Sequence, residues 1–462
     1  MTVGGSNRQQ TAETSDAVNR LFDRYERTGR PISVNFRQLV PWIRSGERAT
    51  HYLHPYPGKL IPQIPAFFLA NNIFSEPGQV VLDPFCGSGT VLLESVLHRR
   101  HGVGADSNPL ALLISSAKVT TLTPETLRSD LRSILLSAKS IRRPEIPNVP
   151  NMRYWFYPHV IEQLSRLRVA IDNIVDGKAA KFFQVCFSAC VRRVSLADPR
   201  LSVPVRLREN QYPKDHPFRE STNARIRRLR HQDVLAQFVE LTENNISRVE
   251  AYRELRGSPT RTTFVGSDAR KIGRGRNNDL SPSGYVDLII SSPPYVGAQK
   301  YIRASSLSLG WLGLLECTTL RELEEQNIGR EHFSKRNLTG LLATGVTEAD
   351  NLLKHLAKIN LLRAHIAAVY LIEMRDALAD MTAVLRPEGY LVLIAGSNRV
   401  CGRNFPTHIY LRRMLEDLGL VVRLRLVDSI RSRGLMTRRN VTASMITREW
   451  VIVVQKPASH HG

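Results

Sequence analysis

One stretch decides the fold: Val80-Val81-Leu82-Asp83-Pro84-Phe85-Cys86-Gly87-Ser88-Gly89-Thr90. A short β-branched run ends at Asp-Pro, and a glycine-rich turn then leads into GTVLLESVLHRR, which has the periodicity of a helix. In α/β folds, nucleotide-like ligands bind at such a loop between a strand and the following helix. Gly87 and Gly89 let the backbone approach a ligand closely. The stretch therefore predicts an α/β fold with a ligand-binding loop.

The class of ligand is narrowed by what the loop lacks. No Gly-Lys-Ser/Thr follows, so it is not a P-loop, and Leu92 stands where a dinucleotide fingerprint has its third glycine. Roughly twenty residues further on, Val103-Gly104-Ala105-Asp106 ends a second strand in an acid, which suits hydrogen bonding to ribose hydroxyls. An isolated Gly-x-Gly is usually only a tight turn. The combination with Asp-Pro-Phe and Asp106 favours a nucleotide-like ligand.

Strand patterns and helix patterns alternate along most of the chain, which predicts a mostly parallel sheet covered on both faces. The last two strand patterns, VVRLRLVDS and EWVIVVQK, predict an antiparallel hairpin at the edge of this sheet. Residues 121–262 contain three stretches with helical spacing, separated by a proline- and arginine-rich stretch from Val191 to Arg230, and they interrupt the alternation. The sequence thus predicts five parts. Residues 1–50 are an N-terminal extension that is partly disordered, and residues 51–120 and 263–456 are the two halves of the main domain. Residues 121–262 are a helical basic insertion between these halves, and residues 457–462 are a tail.

Composition excludes several classes of protein. A hydrophobic content of 42% is enough for a sizeable core and excludes a disordered or fibrous chain. Five cysteines without paired spacing exclude a disulfide scaffold and favour a reducing compartment. No long apolar run or secretory leader is present, so we expect a cytoplasmic protein that does not enter a membrane. The net charge of +22 favours a polyanionic partner, nucleic acid first, although an arginine-rich protein of a high-GC genome has the same charge.

A second motif, Ser292-Pro293-Pro294-Tyr295, follows the apolar run Val286–Ser291. The exocyclic amine of cytosine or adenine is a poor nucleophile because its lone pair is delocalised into the ring. A serine hydroxyl and a proline carbonyl can accept hydrogen bonds from its N–H groups and so localise that lone pair on the nitrogen. Two prolines make the turn rigid, and the tyrosine ring offers a stacking face for a base flipped out of a duplex. All four residues are candidate catalytic residues, and the alternative is an ordinary proline-rich turn.

Both motifs resemble a known family. LDPFCGSGTVLLES is similar to the first motif of S-adenosylmethionine-dependent methyltransferases that modify exocyclic amino groups, and the tetrapeptide with serine first resembles the cytosine-N4 DNA type. Aspartate or asparagine in that position is commoner in adenine-N6 enzymes and guanine-N2 RNA enzymes. The resemblance covers residues 51–120 and 263–455. It implies a Rossmann-like class I methyltransferase fold, with a seven-stranded, mostly parallel sheet, and S-adenosyl-L-methionine as the cofactor.

The resemblance also implies which residues bind the cofactor. The Gly87–Gly89 loop would lie near the methionine part, Asp106 at the ribose and Asp268 at the adenine amino group. His54-Pro55-Tyr56-Pro57-Gly58-Lys59-Leu60-Ile61-Pro62 resembles the segment that closes over the methionine end. The full set of cofactor candidates is Asp83, Pro84, Phe85, Gly87, Gly89, Thr90, Asp106 and Asp268. No metal site is predicted, since Cys186 and Cys190 have no second ligand pair in register.

Arginine clusters mark where a polyanion would bind. The insertion is rich in arginine and poor in acids, and the connection between the last two strand patterns adds a second cluster, both of which suit phosphate contacts. The candidates are Arg192, Arg193, Arg227 and Arg228 in the insertion, and Arg431, Arg433, Arg438 and Arg439 near the C-terminus. Tyr154-Trp155-Phe156-Tyr157 could stack bases, although such a run more often belongs to a core.

The sequence therefore predicts a site-specific DNA methyltransferase, cytosine-N4-specific, in a modification or defence role, with DNA as its partner. Three alternatives stay open: an adenine-N6 DNA methyltransferase, a guanine-N2 transfer-RNA methyltransferase, and a non-catalytic nucleic-acid-binding subunit with a methyltransferase fold. The residues before His51 are short for the extra RNA-binding domain that the RNA enzymes carry. The recognition sequence and the oligomeric state are left open.

Overall fold

The computed structural model describes residues 3–44, 48–257, 259–273, 285–297, 300–315, 318–331, 333, 338, 340–429 and 448–458. Within these residues eight strands form one sheet in the order β1-β9-β10-β6-β5-β2-β3-β4, and β7 and β8 form a separate antiparallel pair. The strands are β1 (Ile32–Val34), β2 (Val80–Asp83), β3 (His101–Gly104), β4 (Thr262–Phe264), β5 (Val286–Ser291), β6 (Leu385–Gly396), β7 (Asn398–Val400), β8 (Arg403–Phe405), β9 (Val421–Ser429) and β10 (Arg448–Gln455).

Helices cover both faces of this sheet. They are α1 (Val3–Thr28), α2 (Phe36–Leu39), α3 (Gln63–Leu69), α4 (Thr90–Leu97), α5 (Pro109–Val119), α6 (Pro124–Ser140), α7 (Met152–Trp155), α8 (Pro158–Asp172), α9 (Gly177–Val194), α10 (Arg219–Leu229), α11 (Val234–Leu255), α12 (Tyr301–Trp311), α13 (Leu320–Gln326), α14 (Thr347–Ile359), α15 (Leu361–Val384) and α16 (Thr407–Asp417). Helices α1 to α3 pack on one face of the sheet, and α14 to α16 pack on the other.

The position of β2 in the sheet determines where a ligand can bind. All four residues of β2 are buried, as expected of a central strand with helices on both faces. From β2 the chain builds outward through β3 and β4 on one side, and through β5 and β6 on the other, with parallel pairing throughout. Strand order therefore reverses at β2 and β5, and the carboxyl ends of strands at such a reversal form the crevice of an α/β fold.

The helical insertion packs on the helices beside that crevice. Helices α6 to α11 lie in the chain between β3 and β4, and their core is continuous with apolar residues of α5 and α12. Trp311 of α12 is fully buried there, in edge contact with the rings of Phe156 and Phe187, at 5.6 and 6.2 Å between centroids. The insertion thus shares a core with the helix that follows the Ser-Pro-Pro-Tyr motif.

The sheet confirms the predicted Rossmann-like α/β fold class, mostly parallel, but it has eight strands rather than seven. The eighth is β1, which pairs in parallel with β9 and comes from the N-terminal extension predicted to be partly disordered. In that extension α1 runs from Val3 to Thr28, with Val18 fully buried against the sheet. The sequence missed both elements because α1 is polar except for one narrow side, and a three-residue strand is too short to show alternation.

The position of the two C-terminal strands in the sheet differs from the one that the sequence predicts. Strands β9 and β10 are antiparallel, as predicted, but they do not form an edge hairpin. Strand β10 lies between β6 and β9, and β1 covers the outer side of β9. Sequence order along the chain does not encode the order of strands in a sheet, so this placement could not be read from the pattern. None of the described helices is both long and apolar enough to cross a bilayer.

Candidate active site

A cavity opens at the carboxyl ends of β2, β3 and β5, and we call it the strand-end cavity. Its volume is about 830 Å³, including the open mouth. Four parts of the chain line it: the segment 56–60, the loop after β2, the ends of β3 and β4, and residues from the Ser-Pro-Pro-Tyr turn to the end of α13. The main lining residues are Tyr56, Lys59, Asp83, Pro84, Phe85, Gly87, Ser88, Thr90, Asp106, Asp268, Ser292, Pro294, Tyr301 and Asn327.

The loop after β2 has its shape because of two glycines. Gly87 and Gly89 adopt φ angles of 49° and 74°, in the left-handed region that favours glycine. A Cβ on Gly89 would also lie 2.9 Å from the Cβ of Ser115, so a larger residue cannot occupy this position without displacing α5. Gly89 is the N-cap of α4, and the loop therefore turns directly from the buried strand into the helix.

Two acids face the cavity, of which Asp83 is buried and Asp106 is half-buried. Asp83 accepts hydrogen bonds from the Ser291 hydroxyl at 2.6 Å and from the backbone N–H of Phe85 at 3.2 Å. Asp106 accepts from the backbone N–H groups of Gly87 and Asn108, both at 2.8 Å. Burial raises the pKa of Asp83 to about 7 and that of Asp106 to about 6, against the opposing effect of these hydrogen bonds. Near neutral pH Asp106 is therefore mostly ionised and Asp83 about half ionised, and among the described residues no basic side chain bonds either carboxylate.

The third acid, Asp268, is in a different setting. Its carboxylate forms a two-point ion pair with the guanidinium of Arg270, with N–O distances of 2.8 and 3.0 Å. Burial alone would raise the pKa of Asp268, but the arginine lowers it below its ordinary value. Arg270 in turn bonds Glu373 of α15, which also pairs with Arg330. Asp268 is thus ionised and fixed in orientation at the edge of the cavity.

The residues present fit a cationic, nucleoside-like methyl donor. Ser88 lines the cavity, is 3% exposed, and its hydroxyl has no partner among the described residues, so a polar ligand atom in the cavity would satisfy it. Asp83 and Asp106 offer negative charge, and the backbone of the loop after β2 borders the cavity. Lys59 also lines the cavity, but its ammonium group is turned to the carbonyl of His51 at 2.6 Å.

The segment from His54 to Lys59 is held from two sides. His54 bonds the carbonyl of Pro55 through Nδ1, which must therefore donate, so Nε2 accepts from the hydroxyl of Ser188 in α9 at 2.8 Å. Burial lowers the pKa of His54 to about 4, which keeps the ring neutral as this arrangement requires. Asn108 donates to the hydroxyl of Tyr56, whose ring stacks on that of Tyr301 at 6.3 Å.

The Ser-Pro-Pro-Tyr turn contributes unequally to the cavity. Ser292 and Pro294 line it, whereas Pro293 is buried and Tyr295 is half-buried outside the lining. The turn continues into Gly297, whose N–H donates to the carbonyl of Gly329 at 3.2 Å. The buried amide of Asn398, the first residue of β7, donates to the carbonyl of Val296 at 2.7 Å. The turn is thus fixed by bonds that leave Ser292 facing the cavity.

The structure brings together most of the predicted cofactor residues. All eight but Gly89 line the cavity, and Gly89 acts instead by setting the turn into α4. Sequence reasoning missed the lining residues Ser88, Ser107, Ser267, Tyr301, Asn327 and Ile328. Ser88 and Tyr301 adjoin the motifs and could have been included. Asn327 could not, because it reaches the site only through the packing of α13, where its side-chain carbonyl accepts from Ser107 at 2.7 Å.

The arginine candidates separate into two kinds. Arg192 is largely buried and donates to the carbonyls of Asp198 and Leu201. It therefore holds the insertion together, whereas the sequence predicted a solvent-facing contact to phosphate. Arg193 is exposed and pairs with Glu240 at 2.8 Å. Arg227 and Arg228 are exposed in the last turn of α10. The other four candidates, Arg431, Arg433, Arg438 and Arg439, lie outside the described residues.

The aromatic run in the insertion is also mixed. Phe156 is 2% exposed and belongs to the core around Trp311. Tyr154 is 39% exposed and lies under the guanidinium of Arg206, at 4.6 Å from the ring centroid. The run is therefore partly core, as the commoner expectation had it, with one ring at the surface beside an arginine.

Comparison with known proteins bears on this site. A family model described as DNA methylase matches residues 62–116, the part of the chain that contains the loop after β2 and Asp106. The Type II methyltransferase M.MvaI of Kocuria varians is 24% identical over 420 residues, which are 86% of this chain and 87% of that protein. Both matches support a relationship to the DNA amino-methyltransferases. The chain also resembles the Type II methyltransferase M.MjaII of Methanocaldococcus jannaschii, 32% identical over 93 residues, which are 20% of this chain and 17% of that protein.

Solved structures similar to this chain are distant. The rRNA methyltransferase AviRa of Streptomyces viridochromogenes is 12% identical, with a TM-score of 0.31, and the match covers 87% of this chain and 88% of that one. TrmN of Thermus thermophilus is 14% identical, with a TM-score of 0.29, covering 87% and 50% respectively. The fold of the chain is therefore defined by the order of strands in its own sheet.

Proposed function

We propose that this protein transfers a methyl group from S-adenosyl-L-methionine to the exocyclic N4 of cytosine in DNA. The observation that carries the proposal is that Ser292 and Pro294 line the same cavity as the loop after β2. A methyl donor held by the loop and an amine held by the turn would then meet in one cavity. Such positioning of two reactants supplies much of the rate enhancement of a transfer reaction.

The cofactor would be held by three kinds of contact. S-adenosylmethionine supplies an activated methyl group on a sulfonium, and it carries an ammonium group beside it. Asp83 and the Gly87–Gly89 loop would bind its methionine part, Asp106 the ribose hydroxyls and Asp268 the adenine amino group. Pro84, Phe85 and Thr90 line the same cavity. The negative charge of Asp83 and Asp106, to which no basic side chain of the described residues bonds, supports a cationic ligand of this kind.

The amine would be activated by the turn after β5. The Ser292 hydroxyl and the Pro293 carbonyl would accept hydrogen bonds from its two N–H groups. These hydrogen bonds would localise the lone pair on the nitrogen as the new bond to the methyl group forms. One N–H proton is then lost to solvent. Pro294 shapes the turn, and Tyr295 would stack on the flipped base after moving from its half-buried position. No covalent intermediate with the protein is needed.

DNA as the substrate is supported by the relatives and by charge. M.MvaI and M.MjaII are both named Type II methyltransferases, which supports a site-specific modification role for this chain. The exposed Arg193, Arg227 and Arg228 would contact phosphates, together with the arginines at 431, 433, 438 and 439. We propose residues 121–262 as the region that recognises the target. A DNA substrate and unpaired thiols at the four described cysteines favour a reducing cytoplasm.

Adenine N6 is the second candidate acceptor, because the family model that matches the chain spans N6 and N4 enzymes alike. Nucleoside mass spectrometry separates the two. The purified protein is incubated with S-adenosylmethionine and either unmodified DNA or bulk transfer RNA, with the Ser292→Ala variant as the matched control. We expect N4-methylcytosine in the DNA digest only. N6-methyladenine would correct the base, methylguanosine in the RNA digest would replace the substrate, and identical product from Ser292→Ala would remove Ser292 from the mechanism.

A further inference from the structure

A hydrogen bond joins the two motifs in the interior of the sheet. Ser291 is the last residue of β5, directly before the Ser-Pro-Pro-Tyr turn, and its hydroxyl donates to Oδ1 of Asp83 at 2.6 Å. Ser291 is fully buried and Asp83 is 3% exposed. The two residues come from adjacent parallel strands, in which Leu82 pairs with Ile289. The bond therefore spans the ends of β2 and β5, where strand order reverses.

A single carboxylate oxygen receives both contacts. Oδ1 of Asp83 accepts from Ser291 and from the backbone N–H of Phe85, which begins the loop after β2. Among the described residues the other oxygen, Oδ2, accepts no hydrogen bond and is left for a ligand in the cavity that Asp83 lines. Asp83 is thus fixed in orientation by one oxygen and available through the other.

We propose that Ser291 is a positioning residue that ties the carboxylate of Asp83 to the start of the Ser-Pro-Pro-Tyr turn, so that the cofactor loop and the amine-activating residues keep one fixed relative position. This inference rests on the proposed function and adds to it a residue that touches neither cofactor nor base. The Ser291 hydroxyl acts in two ways. It orients Oδ2 of Asp83 toward the cavity, and it anchors the backbone directly before Ser292.

The same bond sets the charge of Asp83. A hydroxyl that donates to a carboxylate favours the ionised form, and it opposes the effect of burial that raises the pKa of Asp83 to about 7. A cationic cofactor binds the ionised form better, so its affinity rises as the pH rises through the pKa of Asp83. Removal of the Ser291 hydroxyl raises this pKa further and moves the rise in affinity to higher pH.

The test compares Ser291→Ala with Ser165→Ala in the full-length chain. Ser165 is also fully buried, but it lies in α8 of the insertion and donates only to the carbonyl of Ile161 in its own helix, at 2.8 Å. Binding of S-adenosylmethionine is measured by calorimetry from pH 5.5 to 9, and turnover is measured at saturating cofactor. A third variant, Ser291→Thr, keeps the hydroxyl.

For Ser291→Ala we expect the midpoint of the affinity rise to move up by about one pH unit, the size of effect that one hydrogen bond to a charged group produces. We also expect turnover at saturating cofactor to fall about 10-fold or more, because the turn loses its anchor. Ser291→Thr should restore the midpoint, and Ser165→Ala should keep the wild-type midpoint.

Three results overturn the inference, and each can be told from the others. An unchanged midpoint in Ser291→Ala, with wild-type protein that binds the cofactor, refutes the positioning role and leaves the proposed function intact. No binding of S-adenosylmethionine by the wild-type protein refutes the proposed function and the inference together. A uniform loss of affinity at every pH, shared by Ser165→Ala, would mean general destabilisation and would also refute the positioning role.

Discussion

The strand-end cavity and the helical insertion use charge in opposite ways. In the cavity, Asp83 is buried and Asp106 is half-buried, and among the described residues both accept hydrogen bonds only from uncharged donors. In the insertion, the guanidinium group of Arg192 donates to two backbone carbonyls, and Arg200 pairs with Asp198 at 2.7 Å. A buried charge without a counterion marks a ligand site. A high density of charge in the sequence does not by itself mark a binding surface.

The largest effect should come from the buried acid at the end of β2. Asp83→Ala is expected to weaken S-adenosylmethionine binding by at least about 100-fold, because a charged contact is lost and the Ser291 hydroxyl is left without its acceptor. Calorimetry measures the affinity. Asp83→Asn keeps an acceptor for Ser291 but loses the charge, and Asp215→Ala removes an exposed acid of the insertion as the control. Tight binding by Asp83→Ala would exclude Asp83 from the cofactor site.

The second effect separates chemistry from cofactor binding. Ser292→Ala is expected to lower the single-turnover rate about 100-fold, as removal of one acceptor or donor from a transition state does elsewhere, while cofactor affinity stays within about 2-fold. Rapid quench with labelled cofactor and DNA measures the rate. Ser306→Ala, on the following helix α12, is the control, since its hydroxyl donates only to the carbonyl of Arg303. A normal rate in Ser292→Ala would mean that another group activates the amine.

The third effect concerns the exposed arginines of the insertion. The double variant Arg227→Ala, Arg228→Ala should weaken DNA binding about 10-fold at low salt and reduce the slope of log affinity against log salt by about 2, if both contact phosphates. Fluorescence anisotropy at several salt concentrations gives both numbers. Arg142→Ala, Arg143→Ala removes the same charge from a matched exposed pair. Equal effects of the two double variants would show that net charge, and not the surface of α10, accounts for the binding.

The smallest effect tests whether the two regions are independent. Ser188 of α9 belongs to the insertion, yet its hydroxyl donates to His54 of the segment that lines the cavity. Ser188→Ala should weaken cofactor binding by about 3-fold, roughly the contribution of one buried hydrogen bond between neutral groups. Calorimetry at constant pH, with Ser165→Ala as the control, measures the difference. No difference would mean that the insertion supports the segment by apolar packing alone.

The cofactor loop was predictable because its constraints are local. The strand, the Asp-Pro turn, two glycines and the helix lie within one continuous segment, and Gly89 occupies a conformation and a space that only glycine fits. The family resemblance then assigned Asp83, Asp106 and Asp268 to one cofactor, and the cavity brings these acids together. Motifs whose geometry is encoded by neighbours in sequence can be read without a structure.

The rest depends on contacts between distant residues. Strand β1 pairs with β9 nearly 400 residues later, and Asn327 meets Ser107 across more than 200 residues. Neither pairing leaves a periodic signal in either segment. The arginines of the insertion illustrate the same limit, because Arg192 and Arg193 are adjacent in sequence but one is turned inward and the other outward. Composition reports how many charges there are and not which of them are paired.

The central claim is that the cofactor binds at the strand ends and that the insertion does not hold it. Photo-crosslinking of labelled S-adenosylmethionine to the full-length protein, followed by peptide mapping, tests this directly. We expect label on peptides that contain residues 56–60, 83–91 or 292–294, and an excess of unlabelled cofactor should remove it. Competed label that maps to α6 to α11, with none on the peptides of the strand-end cavity, would contradict the account.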